Sequence, residues 1–543
     1  MFYKEDKVNM LIGLLKEYHV ENVVLCPGSR NAIIANNILE DGSFNCFPVT
    51  DERSAGFFAL GLSIGMNPSA IVVTSGSALL NVAPAIVEAY YQRVPVIVIS
   101  ADRPQEDIGQ NVGQTMRQYG ALDNYVACSV NLTDAMGDNT YYHNRLICEA
   151  LAKSGEYKRP VHINVPLPSP AECEQADDMP AIPYNKIYVP EVSCDIEDIR
   201  DVVDEMSSAR RPMIVLGQEI ATQGLSAELE MLKQSVVVLS EPLSDIYARP
   251  YAGFIDSIPD SMLPDFIVYI GGTTVCRSIY SRFASITDLT VWRVDQAGEF
   301  TSPFRRLDGV LRCSAFDFVR IASDRLKMDK PVVNSSYYHE WHEAFGKENQ
   351  RLMSIDDNML TAAATVKYFE EQLEDIDYDY YVHYGNSTAV RLACQYAWGH
   401  GVYCNRGING IEGSLSTAAG HSVIKENDMV FCVLGDLSFF YDQNALWNNN
   451  LSGNLRIIIL NDHHGGIFDN VKGLEKCAGR DRFIAGRHTA DARGICTQND
   501  IGYLSAKTVA EMHLGIVTLL TAETERPMVM EVMVGSKELR VKN

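Results

Sequence analysis

Short unbroken apolar runs alternate with longer helical stretches along the whole chain, and this rhythm constrains its fold more than any other feature. In the first third, ENVVLCPG, FNCFPVT, SAIVVTSG and VPVIVISAD read as strands, with NAIIANNILE, ERSAGFFALGLSIG and SALLNVAPAIVEAYY as helices between them. Strands buried on both faces need no polar alternation, and parallel neighbours need a crossover helix. The pattern therefore predicts α/β architecture with parallel sheets covered on both faces. RPVHINVPLP reads as the last strand of this block. The middle third repeats the class in RPMIVLG, SVVVLSE, DFIVYIGG and TVWRVD, and the last third in DYYVHYGN, GVYCN, DMVFCVLGD, NLRIIILND and RPMVMEVMV. PLPSPAECEQADDMPAIPYNKIYVP is rich in Pro and acids and reads as a linker, and KMDKPVVNSSYYHEW as a second boundary. Three doubly wound parallel-sheet domains are expected, over residues 1–185, 186–345 and 346–543. In the first and third, strand ends carry Gly with Ser, Thr, Asn or Asp, and sites in open parallel sheets form at those carboxyl ends.

Composition narrows the function. The formal net charge of −24 argues against nucleic acid and against an anionic membrane surface. An anionic substrate would need arginines gathered locally against that field. No apolar run approaches the ~18–20 residues of a membrane helix. The start, MFYKEDKVNMLIGLL, has acids and no small-residue cleavage site, unlike a signal peptide. Thirteen cysteines are scattered without C-x-x-C pairs, as expected of reduced thiols in a cytoplasmic protein.

Two acids stand at strand ends in LGDLSFFYDQNALWNNNLSGNLRIIILNDHHGGIF. Met429–Leu434 reads as a buried strand ending at Gly435-Asp436, with a helix from Ser438. Asp462 ends the next strand, 26 positions after Asp436. One crossover fits that interval, so the two acids converge at one sheet edge. Two carboxylates with backbone carbonyls suit a hard divalent cation such as Mg²⁺, and the Leu437 and Ser438 N–H groups suit phosphate oxygens. The plainer alternative is a pair of helix caps. Other phosphate signatures are absent: there is no G-x-x-x-x-G-K-[ST], and RGINGIEGS lacks the G-x-G-x-x-G spacing. HEWHEAF is not H-E-x-x-H, and His463-His464 has no further ligand at zinc spacing nearby. Glu52, in FPVTDERSAGFFALG, opens a helix after a strand; taken alone it is an acid in a first turn, with Thr50 or Asp51 as cap.

Together these features resemble the thiamine diphosphate enzymes, whose motif runs Gly-Asp-Gly to Asn-Asn with a catalytic Glu on another domain. Here the ends of that motif are GDLS and ND. CPGSR, TDERSAGFFALGL, TSGSALLN, ADRP, GNSTAVR, NRGINGIEGSLSTAAG, GDLSFFYDQNAL and GGIF, in that order between residues 26 and 468, resemble one family among them. These are the 2-succinyl-5-enolpyruvyl-6-hydroxy-3-cyclohexene-1-carboxylate synthases of menaquinone biosynthesis. The resemblance implies decarboxylation of 2-oxoglutarate and 1,4-addition of the resulting succinyl carbanion to isochorismate. It implies Glu52 as the catalytic residue beside the cofactor's pyrimidine ring, and Ile411 as its apolar prop. It places Thr74, Asn386, Gly410, Gly435, Asp436, Leu437 and Ser438 against the cofactor. Asp436, Asp462 and the His464 carbonyl would hold Mg²⁺ or Mn²⁺. Ser29, Arg30, Arg103, Gln114, Arg277, Ser387, Arg391, Arg406, Ile467 and Phe468 would meet substrate. Both substrates are dicarboxylates, which planar guanidinium groups hold well. A homodimer or homotetramer is implied, with active sites between subunits.

The chain departs from the family in having Asp462 where Asn is common, and His463-His464 where smaller or uncharged residues stand. The alternatives are another thiamine diphosphate lyase, such as an acetohydroxyacid synthase-like enzyme, or a catalytically silent relative. The first usually has a full Gly-Asp-Gly and often FAD, for which residues 190–345 carry no convincing fingerprint; the second would have lost Glu52 or Asp436. The glycine-rich DNVKGLEKCAGRDRFIAGRHTADARG is expected to be a mobile segment covering the site.

Overall fold

The computed structural model describes the chain except residues 66, 135–137, 190–193, 329–334, 356–357 and 536–543, and the side chains of 328 and 470. The centre of the expected second boundary and the last residue of the linker lie outside the described residues.

Among the described residues there are three parallel sheets, one in each third of the chain. The first contains Asn22–Leu25 (β1), Asn45–Pro48 (β2), Ser69–Val73 (β3), Val96–Asp102 (β4), Cys128–Asn131 (β5) and Val161–Pro166 (β6), in the order β2-β1-β3-β4-β6-β5. The middle sheet contains Pro212–Leu216 (β7), Val237–Leu239 (β8), Phe266–Ile270 (β9), Thr290–Val294 (β10) and Gly309–Leu311 (β11), in the order β8-β7-β9-β10-β11. The last contains Tyr380–Tyr384 (β12), Val402–Tyr403 (β13), Met429–Gly435 (β14), Leu455–Asn461 (β15), Gly502–Ala506 (β16) and Met528–Met533 (β17), in the order β13-β12-β14-β15-β17-β16. The first and last sheets thus share one topology. In each, the second strand in sequence lies at an edge and the chain reverses direction between the first and third strands.

Burial explains the unbroken apolar runs. In the middle sheet, Ile214 and Leu216 join one apolar cluster with Val268 and Ile270, while Met213 and Val215 join another with Ile267 and Tyr269. Alternate side chains feed separate cores, so both faces are covered and neither can be polar. The edge strand Cys128–Asn131 escapes the sequence reading because CSVN is short and mixed. RPVHINVPLP is the last strand of the block in sequence, β6, and lies beside that edge strand.

The chain divides into two compact units. One contains residues 1–191, 412–427 and 442–455, and the other 192–411, 428–441 and 456–543. The expected linker is ordered onto the first unit. Gln175–Ala176 pairs antiparallel with Phe2–Tyr3, and the Asn185 N–H donates to Asn144 Oδ1 at 2.9 Å. Also in the first unit, the helix Glu52–Leu62 packs on the helix Ser414–Ile424 through small residues. A Cβ on Gly61 would lie 2.1 Å from the Thr417 carbonyl oxygen, and one on Gly420 2.0 Å from that of Phe58. Ser54 and Ser416 share a buried hydrogen bond of 2.8 Å at the same crossing.

Candidate active site

The expected site residues fall into two groups, one on each unit; all but Arg277, which comes after β9 of the middle sheet, lie beyond four adjacent strands of the first or the last sheet. In the first unit, Cys26–Arg30 follows β1, Glu52 follows β2, Thr74–Gly76 follows β3 and Arg103 follows β4. Asp51 caps the Glu52 helix by accepting the Arg53 N–H at 2.9 Å, so Glu52 is left free of capping. Its Oε2 accepts from Asn81 Nδ2 at 3.1 Å. Gly28 lies so close to Thr74 that a Cβ would meet the Thr74 Cβ at 2.4 Å, which draws the two loops together. Burial, and then the nearby Arg103, pulls the Arg30 guanidinium below its usual value; the two cations share one corner. Gln114 has φ +57° and its backbone lies against Gly76, whereas Ser29 is exposed.

Beneath this edge lies a polar network with no local sequence signal. Gln118 Oε1 accepts the Gly76 N–H at 2.7 Å, and its Nε2 donates to Asn164 Oδ1 at 3.0 Å. Asn164 Nδ2 donates in turn to Asp102 Oδ2 at 2.9 Å. These buried amides fix the loops that carry Thr74 and Arg103.

In the second unit, Asn386 and Ser387 follow β12, Arg406 follows β13, Asp436 follows β14 and Asp462 follows β15. Asn386 Nδ2 donates to the Gly410 carbonyl at 2.6 Å, its Oδ1 accepts from Arg406 Nη1 at 3.0 Å, and Ser438 Oγ donates to the Ile411 carbonyl at 2.5 Å. Ile411 is still 38% exposed, an apolar side chain with room for a ligand against it. Burial, and then Arg406 and Arg277, pulls the Arg391 guanidinium below its usual value, so three arginines distant in sequence share one field. Arg277 is exposed, and Ile467 and Phe468 are half-buried on the turn Gly466–Asn470.

β14 passes directly into the helix Asp436–Tyr441, two residues earlier than the sequence suggests. Asp436 is therefore the first helical residue, and its Oδ1 accepts the Leu437 N–H at 2.6 Å. Burial lifts the Asp436 carboxyl to about 6. Burial, and then Asp436 itself, lifts Asp462 to about 6. Two enclosed acids that repel one another are what a divalent cation would stabilise. Among the described residues no cluster of three or more His, Cys, Asp or Glu side chains could hold a metal.

The histidines acquire a physical account. His464 Nδ1 meets the Asp462 carbonyl at 2.9 Å, and its Nε2 meets Asp469 Oδ2 at 3.0 Å. Burial lowers the His464 pKa, but these partners outweigh it and raise it, which offsets the added charge of Asp462. The sequence reading missed His488, whose Nε2 lies 3.1 Å from Asp436 Oδ2. It belongs to the glycine-rich segment, which folds back here: the Ala485 carbonyl accepts the Gly465 N–H and the His463 carbonyl accepts the His488 N–H at 2.9 Å. A His in a loop gives no local sign of which strand end it will reach. Buried polar atoms without a protein partner occur across the chain, and Ser75 Oγ, Arg103 Nε, Arg406 Nε, Asn409 Oδ1 and His463 Nδ1 are those on these loops. Such atoms are rare in a finished core and common where a ligand completes a site.

Comparison with known proteins gives this geometry a context. The model of the family described as "Thiamine pyrophosphate enzyme, N-terminal TPP binding domain" matches residues 7–121. A protein of Bacteroides fragilis named 2-succinyl-5-enolpyruvyl-6-hydroxy-3-cyclohexene-1-carboxylate synthase is 34% identical over 100% of this chain and 98% of its own length. The chain belongs to this synthase family. Synthases of the same name from Phocaeicola vulgatus and Bacteroides thetaiotaomicron are 33% and 32% identical, over 99% and 100% of this chain and 97% and 98% of theirs. As a family member it is a thiamine diphosphate-dependent, carbon–carbon bond-forming enzyme of menaquinone biosynthesis. No described helix of this synthase is long and apolar enough to cross a membrane.

Proposed function

We infer that this synthase decarboxylates 2-oxoglutarate and adds the resulting four-carbon unit in a 1,4 sense to isochorismate. The observation that carries this reading is its likeness, over the full length of both chains, to relatives named for that product. Thiamine diphosphate, when bound, supplies the electron sink for loss of CO₂. Asp436 and Asp462, with the His464 carbonyl, would hold Mg²⁺ or Mn²⁺, since hard cations favour oxygen donors and phosphate partners. Gly435–Ser438, Gly410, Asn386 and Thr74 would line the cofactor, and Ile411 would prop it. Glu52 would hold a proton at the cofactor's pyrimidine nitrogen. Arg30, Arg103, Arg277, Arg391 and Arg406 would bind substrate carboxylates in bidentate fashion, with Ser29, Gln114 and Ser387 as neutral partners. Ile467 and Phe468 would keep water away. The enzyme is proposed to be cytoplasmic, to engage neither nucleic acid nor membrane, and to work as a homodimer or homotetramer, Glu52 serving the cofactor of a partner subunit. Three domains divided near residues 185 and 345 would give matching cuts in limited proteolysis.

The test combines the purified chain with thiamine diphosphate, Mg²⁺, 2-oxoglutarate and isochorismate. A coupled adduct is expected; CO₂ release without it would refute the named reaction and spare the cofactor class. Glu52→Gln should keep cofactor binding and lose most turnover, and near-normal activity in that variant would sink the assigned role.

A further inference from the structure

Glu241 has no role in the site described so far, yet it is among the most enclosed acids of the chain, 4% exposed just beyond β8. Among the described residues it forms no ion pair. Its Oε2 accepts the Val275 N–H at 2.6 Å, and its Oε1 accepts the Cys276 N–H at 2.9 Å and the Tyr251 hydroxyl at 3.1 Å. An N–H cannot accept a proton, so both oxygens are suited to the ionised form. Burial raises the Glu241 pKa, against the pull of these donors and of the Arg406 charge, and a buried carboxylate whose hydrogen-bond donors are all neutral is costly unless it serves something nearby.

The loop it holds leads to Arg406. The peptide between Thr274 and Val275 is a single planar unit. One side of it offers the Val275 N–H to Glu241, and the other offers the Thr274 carbonyl to Arg406 Nη2 at 3.2 Å. Thr273 Oγ1 donates to the Arg406 carbonyl at 2.9 Å, joining the same loop to the Arg406 backbone. The guanidinium plane is thus set by two acceptors, Thr274 O and Asn386 Oδ1, and its Nε remains without a protein partner. A charge-assisted bond on the N–H side also polarises the peptide and strengthens its carbonyl as an acceptor.

We propose that Glu241 is a positioning residue for the Arg406 guanidinium, acting through the one peptide unit between Thr274 and Val275. The inference rests on the reading of Arg406 as a binder of substrate carboxylate. Glu241→Gln keeps the shape but places an NH₂ group against one of the two N–H donors, so the hold on the loop is weakened. Arg406→Lys keeps the charge and loses the planar fork.

The experiment is a double-mutant cycle on the full-length enzyme with thiamine diphosphate and Mg²⁺, reading KM and kcat separately for 2-oxoglutarate and for isochorismate. R406K should raise KM for one of them at least tenfold. E241Q should raise KM for the same substrate at least tenfold, more than it lowers kcat, and the double variant should be within twofold of the worse single one. Multiplying effects, or an E241Q change spread evenly over both substrates, would overturn the role of Glu241 and leave the site intact. An unchanged KM in R406K would overturn the reading of Arg406 and the inference with it. If E241Q does not fold, Tyr251→Phe removes one donor from the same carboxylate. It should raise that KM about threefold, an effect absorbed in the R406K background, and an unchanged KM would refute the proposal.

Discussion

Gly420→Ala tests whether the helix crossing holds Glu52 in place. A Cβ at Gly420 would stand 2.0 Å from the Phe58 carbonyl oxygen, while real Cβ contacts essentially never fall below 3.0 Å. The helices must therefore part by about 1 Å, the difference of the two distances. They cannot slide to avoid this, because Gly61 meets the Thr417 carbonyl oxygen equally tightly and Ser54 is bonded to Ser416. Overpacking of this kind costs about 1–3 kcal/mol. Glu52 is the first residue of the displaced helix. A misplacement of ~1 Å can lower a rate by roughly 100-fold even when it begins away from the reacting atoms. G420A should therefore lose about 2 kcal/mol in urea denaturation and roughly 100-fold in kcat. Gly494→Ala, where a Cβ meets nothing within 4 Å, serves as the control and should keep kcat near wild type and lose no stability. Retention of kcat within threefold by a destabilised G420A would refute the coupling of this crossing to Glu52.

Three further outcomes follow from packing and charge. Arg456 is 2% exposed and donates to the Leu519 and Ala522 carbonyls and to Thr524 Oγ1 at the end of the helix Val509–Thr521. Arg456→Met should cost about 3 kcal/mol or more in chemical denaturation, because it strands these acceptors; a loss below about 1 kcal/mol would contradict it. Burial lowers the pKa of His400, but Glu370, 2.7 Å from its Nε2, outweighs that and leaves it raised. Its contribution is full below about pH 6.5 and is lost as pH rises through the raised folded value. Stability of the wild type should thus fall between about pH 6 and 9 by more than that of His400→Gln, and parallel curves would dismiss the pair. Gly346 lies inside the helix Ser335–Met353 with open space around its Cβ position. Gly346→Ala should raise the denaturation midpoint by an amount equal to about 0.5–1 kcal/mol, and a lowered midpoint would reverse the argument.

The amino-acid sequence by itself determined the fold class, because a strand buried on both faces writes an unbroken apolar run and a crossover helix writes a longer period. It also placed Glu52, Arg103, Arg406, Asp436 and Asp462 just beyond strands, since that is a local property of each run's end. It could not determine which strands become neighbours. The shared order of the first and last sheets comes from long-range pairing, and that pairing gathers four strand ends in each. Only the tertiary structure brings Arg277, Arg391 and Arg406 into one field, carries His488 back to Asp436, and sets Glu241 behind the peptide that receives Arg406. The glycines at 61 and 420 show the same divide. Each is an ordinary small residue in a helix until another backbone, more than 350 positions away in sequence, comes too close for a Cβ. Local periodicity records what each segment buries, and the folded chain decides against what.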